Sequence, residues 1–273
     1  MTANSFKMRY IVTPRYLPKP SKRRPGDPLT PGVKFIVAHD SGNPGSTAAG
    51  NVAYYARTSN DESASAHIFV DDQEILECIP ALTQAPEKAW HVIYDVPSDN
   101  QLYGYNANDA AIGVEYCYGG KIDADEAYRK YVWVLACLCH SFELDPAMSI
   151  VGHFFLDPAR RTDPVTGLAT SRRTYDHLLR DVVAEFGICS GDAHRAPPTF
   201  VTAPGQAVAA ARLCIRRGAP SRYAERVQVV SPGTMLPYEG WVTDGEVVNG
   251  NGNWYRDTNG NYFWSGGVRQ EAL

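Results

Sequence analysis

The sequence predicts an α/β domain, with a central mixed β-sheet flanked by helices, followed by a small all-β barrel. Three observations lead there. Short apolar runs alternate with amphipathic helical stripes as far as Gly187. A stretch rich in Pro, Gly and small polar residues then interrupts both patterns. Beyond it only short β-prone runs remain, punctuated by Gly, Pro and Asn. The expected divisions are residues 1–187, a linker over 188–205, and residues 206–273.

The run Phe35 to His39 (FIVAH) reads as a buried strand that ends in a histidine. Thr47 to Arg57 is helix-compatible, with Ala, Val and Tyr. Ala66 to Val70 and Glu74 to Ile79 read as two strands around an Asp71-Asp72-Gln73 turn, and Ala111 to Tyr116 as another strand. Tyr128, Tyr131, Leu135, Leu138, Cys139 and Phe142 recur at three- and four-residue steps, predicting a helix that stops before Pro146. Ser149 to His153 is a strand that delivers a second histidine. Tyr175, Leu178, Leu179, Val182, Val183 and Phe186 stripe a further helix, with Thr170 or Ser171 as its expected N-cap and Gly187 as its stop.

Composition narrows the function classes. The 273 residues carry a formal net charge of -4 and a pI near 6.0, which argues against a nucleic-acid binder. No run approaches the ~18 apolar residues of a membrane span. The first residues, MTANSFKMRYIVTPRYLPKP, lack the apolar core of a secretory leader. None of the cysteines forms a CxxC, so they read as small buried hydrophobes rather than as zinc or disulfide scaffolds. His140 and His177 fall on or beside helical stripes and read as structural or solvent-facing.

His39 and His153 end strands, and Asp163 follows ten residues after His153 in HFFLDPARRTDP. Two imidazoles and a carboxylate would leave a fourth tetrahedral position open, as in catalytic zinc sites. Taken singly, either histidine is equally a satisfied polar group at a strand end, and the His-x9-Asp spacing is a weak pattern. Glu115 interrupts an apolar strand, where a carboxylate is costly without a partner or a task. It reads either as a general base or as a strand-edge acid facing solvent.

Five motifs occur in the order seen in one family: FIVAHDSGNP, SASAHIFVDDQEILECIP, Ala89-Trp90-His91, NDAAIGVEY and GHFFLDPARRTDP. Over about Arg24 to Phe186 the chain resembles the type 2 N-acetylmuramoyl-L-alanine amidases, which include phage lysins, recycling amidases and peptidoglycan recognition proteins. The resemblance implies Zn2+ held by His39, His153 and Asp163, with Asp163 standing where many phage members carry cysteine. It implies that Glu115 activates water and that Arg161, in place of a lysine, stabilises the oxyanion. Ala66 stands where many lysins have tyrosine, so tyrosine assistance is not expected. His67, Trp90 and His91 match positions beside the metal or the muropeptide groove, His67 being expected to support the sheet next to the metal. Arg23-Arg24-Pro25-Gly26 resembles a segment before the first zinc strand in some lysins, without an evident task.

The C-terminal part resembles bacterial SH3 domains through Arg217-Gly218-Ala219-Pro220, Asn253-Trp254-Tyr255 and Phe263-Trp264. That likeness implies a wall-binding module in which Trp254 and Tyr255, with Tyr223, Trp241, Tyr262 and Trp264, offer stacking surface. A small barrel also needs such aromatics for its own core. The combined expectation is a peptidoglycan hydrolase cutting between N-acetylmuramic acid and L-alanine. Its partner would be bacterial peptidoglycan, with neither nucleic acid nor membrane insertion involved. The expected setting is a phage or prophage endolysin made in the host cytoplasm and released through a holin. The alternatives are an autolysin or recycling amidase, or a non-catalytic receptor of the same fold. A cysteine peptidase would need an exposed Cys-His pair, which no motif suggests.

Overall fold

Phe35–Asp40 and Ala111–Tyr116 lie side by side in parallel, with Ile36 opposite Ile112 and His39 opposite Glu115. They are interior strands of a six-stranded mixed sheet in a computed structural model that describes residues 6–94, 96–191, 200–222, 224–243 and 245–270. The chain divides into two units, residues 1–192 and residues 193–273.

The first unit runs β1 (Val12–Pro14), β2 (Phe35–Asp40), α1 (Ala48–Arg57), β3 (Ile68–Val70), β4 (Ile75–Glu77), α2 (Ser98–Tyr103), α3 (Ala107–Ala110) and β5 (Ala111–Tyr116). It continues with α4 (Ala124–Ser141), β6 (Ile150–Gly152), α5 (His153–Leu156), α6 (Val165–Thr170) and α7 (Tyr175–Ser190). The strand order is β1-β4-β3-β5-β2-β6, with only the β3–β4 pair antiparallel. The central strands are apolar on both faces because both faces are covered. Ile36, Ala38, Ile112 and Val114 share a core with Tyr131, Leu135 and Leu138 of α4 and with Leu178 and Val182 of α7. Phe35, Val37, Ala111 and Val151 join Ala107 and Ala110 in a separate cluster. Side chains alternate along a strand, so His39 and Glu115 sit on the same face as this second cluster.

Both ends of α7 depart from the sequence reading. The cap of α7 is Thr174, not Thr170 or Ser171, since residues 165–170 form α6 and Ser171 follows its end. The Thr174 hydroxyl accepts from the His177 amide, while His177 Nδ1 accepts from the Thr174 amide. His177 thus has a capping role. The helix also passes through Gly187 and ends at Gly191. His140 stacks on Phe6 at 4.9 Å. All the cysteines are free and buried except the half-buried Cys214.

The segment before β2 is fastened to the domain by two buried arginines. Arg24 forms a two-pronged ion pair with Glu87 (Nε–Oε2 2.7 Å, Nη2–Oε1 3.0 Å) and donates Nη1 to the Leu17 carbonyl at 2.9 Å. Arg23 donates to the Thr58 and Ala64 carbonyls and to Glu62, and lies 4.3 Å from the Tyr55 ring centroid. This is a structural role for Arg23-Arg24.

The second unit is a seven-stranded antiparallel sheet: β7 (Val201–Ala209), β8 (Leu213–Arg217), β9 (Glu225–Val230), β10 (Met235–Val242), β11 (Trp254–Arg256), β12 (Tyr262–Trp264) and β13 (Val268–Gln270). Its order is β13-β7-β10-β11-β12-β8-β9. The expected linker is shorter than read. Residues 188–190 still belong to α7, and Val201 already pairs with Trp241. Trp254 and Tyr255 are interior residues: Trp254 is 1% exposed and donates Nε1 to the Glu246 carbonyl, and Tyr255 stacks on Tyr238 at 4.2 Å. They help fill the core of this small sheet, Tyr255 with Leu213, Ile215, Leu236 and Phe263, and Trp254 with Val242 and Val248. Tyr262 is also buried, Trp241 and Trp264 are half-buried, and Tyr223 lies outside the described residues.

Arg24→Ala removes the two-pronged partner of Glu87 and leaves its largely buried carboxylate to Lys19 alone, so it should destabilise the protein by about 1–3 kcal/mol in urea unfolding. Burial alone would raise the Glu87 pKa, but hydrogen bonds from Arg24 and Lys19 outweigh it and hold the carboxyl below its usual range. A depressed folded pKa gives stability that is complete above about 4.3 and is lost as pH falls through the folded value. The variant should therefore lose less stability on acidification below pH ~4 than the parent does.

Candidate active site

In a parallel sheet the carboxyl ends of neighbouring strands share one edge, where α/β proteins place their ligand sites. His39 lies near the end of β2, Glu115 near the end of β5, and His153 directly follows β6. These strands are neighbours, in the order β5-β2-β6. Asp163 arrives from the connection between α5 and α6, held where the Phe154 amide donates to the Asp163 carbonyl at 3.0 Å. The Tyr131 hydroxyl of α4 fixes the backbone of His39 by donating to its carbonyl at 3.0 Å.

The three side chains converge on a single atom. His39 Nδ1 lies 2.9 Å and His153 Nδ1 3.1 Å from Asp163 Oδ2. Both imidazoles are buried, and the carboxylate side chain is 15% exposed. Burial lowers the His39 pKa to about 4, so the ring is neutral near pH 7, the form that ligates a metal. Burial works against ionisation of Asp163, yet hydrogen bonds from His153 and His39 hold its carboxyl well below the usual range. One ligand atom from each residue can be chosen so that all lie within 4.8 Å of one another. Two imidazoles with a carboxylate are a donor set suited to zinc. Bonds of about 2.0–2.1 Å place tetrahedral donors about 3.3 Å apart, so each histidine–carboxylate spacing would need to widen by only a few tenths of an ångström around an ion.

These groups line a cleft of about 730 Å³ that also includes Asp40, Ser41, Trp90, His91, Glu115 and Arg161. Glu115 Oε2 is sealed from solvent with no hydrogen-bond partner. Burial, then repulsion from Asp163 and Asp40, raises its pKa well above the usual range, while the positive charge of Arg161 opposes the rise. A carboxyl with a buried, unpaired oxygen beside a metal-type cluster is placed to exchange protons with a bound water. Arg161 is exposed at the mouth of the cleft.

His67 is placed differently from the other expected contact residues. It is fully buried and does not line the cleft; Nδ1 accepts from the Gly113 amide at 3.0 Å and Nε2 donates to the Glu87 carbonyl at 2.9 Å. Both nitrogens are used by the main chain, leaving none for a substrate. Trp254 and Tyr255 belong to the other unit's core, as described above. Sequence reasoning missed Asp40, whose carboxylate accepts from the Gly42 amide at 3.0 Å and the Gly167 amide at 2.8 Å. It ties the end of β2 to the helix that follows Asp163. A Cβ at Gly167 would sit 2.8 Å from Asp40 Cβ and 2.9 Å from the Tyr118 ring, so glycine permits this approach.

Residues 28–166, just over half of the chain, match the family model described as N-acetylmuramoyl-L-alanine amidase. The chain belongs to this amidase family. It is 33% identical over 177 residues to the N-acetylmuramoyl-L-alanine amidase BlyA of Bacillus subtilis (strain 168), covering 62% of this chain and 46% of that protein. The chain thus spans under half the length of such curated relatives. The fold is shared with the Staphylococcus aureus hydrolase AmiA in complex with its ligand (TM-score 0.54, 20% identity, 67% of this chain and 87% of that one). It is also shared with the catalytic domain of XlyA (TM-score 0.50, 24% identity, 63% and 99%).

Within this amidase domain, His67→Ala should act on stability. It leaves the Gly113 amide and the Glu87 carbonyl unpaired around a cavity, at a cost of about 2–4 kcal/mol in chemical denaturation. Gly167→Ala should lower the thermal midpoint through overpacking of about 1–3 kcal/mol. A Gly167→Ala protein as stable as the parent would show that Asp40 and Tyr118 yield freely.

Proposed function

We propose that the chain hydrolyses the amide bond between N-acetylmuramic acid and L-alanine in peptidoglycan, as a zinc enzyme of the endolysin type. The observation that carries this reading is the approach of His39 Nδ1 and His153 Nδ1 to Asp163 Oδ2, beside the unpaired carboxyl oxygen of Glu115. His39, His153 and Asp163 would hold the ion. Bound zinc supplies Lewis acidity, which polarises a carbonyl and lowers the pKa of water towards ~7.

The chain's own groups account for the proton and charge movements. Glu115 takes the proton of the attacking water on Oε2 and returns it to the departing amine of L-alanine. The Arg161 guanidinium donates to the oxygen that gains negative charge as the carbonyl becomes tetrahedral. A guanidinium keeps the charge of a lysine but offers a planar fork in place of an ammonium. Trp90 lines the cleft and presents a ring to the substrate, with Lys88 Nζ 4.6 Å from its centroid. His91 is buried but reaches the same cleft wall.

The second unit is read as an SH3-like module that retains the enzyme on peptidoglycan and raises the effective substrate concentration. Because Trp254 and Tyr255 are interior, its half-buried Trp241 and Trp264 are the better candidates for wall contact. The enzyme is read as being made in the host cytoplasm and reaching the wall through holin-type release.

Zinc analysis should find about one ion per chain. Muropeptide mass spectrometry after digestion should find free stem peptides that begin with L-alanine. Glu115→Ala should keep the zinc but lose about 10²–10⁴-fold in rate. Zinc uptake with intact muropeptides would instead favour a receptor, and new ends within the stem peptide would make the protein an endopeptidase.

A further inference from the structure

The second nitrogen of His39 is also engaged. His39 Nε2 lies 3.1 Å from His91 Nδ1, with the two rings nearly perpendicular at 86°. His153 offers a contrast, since its Nε2 is buried with no hydrogen-bond partner. We propose that His91 is a positioning residue for zinc, holding the His39 ring through Nε2 in the orientation that aims Nδ1 at the metal. This rests on the zinc-hydrolase reading above and adds to it a role for a residue outside the ligand set.

His91 is itself held in place from two sides. Asn108 Oδ1 accepts from the His91 amide at 2.8 Å and from the Val92 amide at 3.0 Å, while Asn108 Nδ2 donates to the Val92 carbonyl at 2.5 Å. The ring then lies against β5 where there is no side chain: a Cβ on Gly113 would come within 2.8 Å of His91 Cγ and Nδ1. The support therefore runs from Asn108 through the backbone of His91 and the space above Gly113 to His39. Residues 91, 108 and 113 belong to elements other than the metal-bearing strand β2, so the ligand is braced from outside its own strand.

The contact has a further consequence for the protons. Without metal, the neutral His39 ring carries its proton on Nδ1 to donate to Asp163, so Nε2 accepts and His91 Nδ1 must donate. When Nδ1 is a ligand, the His39 proton resides on Nε2 and His91 Nδ1 must accept. Both rings stay neutral, and each moves its proton to its other nitrogen. An imidazole satisfies either arrangement with one atom, which an alanine cannot do. Ligand histidines with such a partner typically lose about 10–100-fold in metal affinity when it is removed.

The test uses the full chain and zinc itself. Zinc dissociation constants are measured by competition with a chromophoric chelator for the wild type, His91→Ala and His91→Asn, alongside melting of the metal-free proteins. Asparagine carries its oxygen and nitrogen on Cγ, where histidine carries Nδ1, so its amide can serve in either arrangement. His91→Ala should bind zinc about 10–100-fold more weakly, and His91→Asn should recover most of that loss. In the wild type, ¹⁵N resonances should show the His91 proton leaving Nδ1 for Nε2 as zinc is added. This last measurement needs no variant and so stands even if His91→Ala fails to fold. Unchanged His91 resonances on zinc addition, zinc binding by His91→Ala equal to wild type, or alanine and asparagine variants weakened alike while folded would each overturn the inference. A wild type that takes up no zinc would overturn the zinc-hydrolase reading as well.

Discussion

A single carboxylate oxygen organises the first unit's site. Asp163 Oδ2 receives one imidazole from β2 and another from the residue after β6, and it reaches them from a connection 124 positions along the chain from His39. A buried negative charge is tolerated only with partners, and here the partners are the two groups that a cation would need. The parallel sheet makes this economical in chain. Three adjacent strands end at one edge, so His39, Glu115 and His153 need only short extensions from rigid elements to meet. Asp40 then fastens the returning helix to the end of β2 through the Gly167 amide, limiting how far Asp163 can drift.

The cleft wall depends on residues well outside the strands. Tyr54, Tyr55, Ala64 and Ser65 line it, and all lie between the end region of α1 and the start of β3. Arg23 donates to the Thr58 and Ala64 carbonyls and sits against the Tyr55 ring, so a residue before the first central strand holds this wall from behind. Arg24 fastens the same segment to the domain by pairing with Glu87, whose carbonyl receives the His67 proton. The segment before β2 is therefore part of the site's support, and its arginines are buried with each guanidinium nitrogen donating to an oxygen and the planes set over tyrosine rings.

The α/β domain was largely legible in the sequence, because β2 and β5 are continuous apolar runs and α4 and α7 are long and periodic enough to declare themselves. The pieces that escaped are short: β1, α2, α3, α5 and α6 carry three to six residues and little periodicity. The site residues His39, Glu115, His153 and Asp163 could be named from motifs, and the structure brings them together. What a sequence does not carry is where a side chain turns. His67 matched a position beside the metal or the groove, and both its nitrogens are engaged by the main chain. Trp254 and Tyr255 looked like contact surface but are core, which a sheet built from strands of nine residues or fewer needs more than an exposed platform. Asp40 and Gly113 carried no local signal at all, since their meaning lies in a helix and a histidine that meet them only after folding.

The two acids of the cleft share a neighbourhood and move in opposite directions. Asp163 is held ionised because two imidazoles donate to it. Glu115 lacks any partner for Oε2, and burial together with the charges of Asp163 and Asp40 pushes it towards the protonated form. Environments that drive apart the pKa values of two like groups divide their work: one remains a fixed anion, the other carries a proton. The direction of the Glu115 shift also depends on the charge of the cleft as a whole. Any cation held by the histidines and Asp163 offsets the repulsion that Glu115 feels and returns it towards the ionised state. The groups that converge on Asp163 and the Glu115 carboxyl are thus coupled through charge, and His39 and Glu115 face each other across β2 and β5.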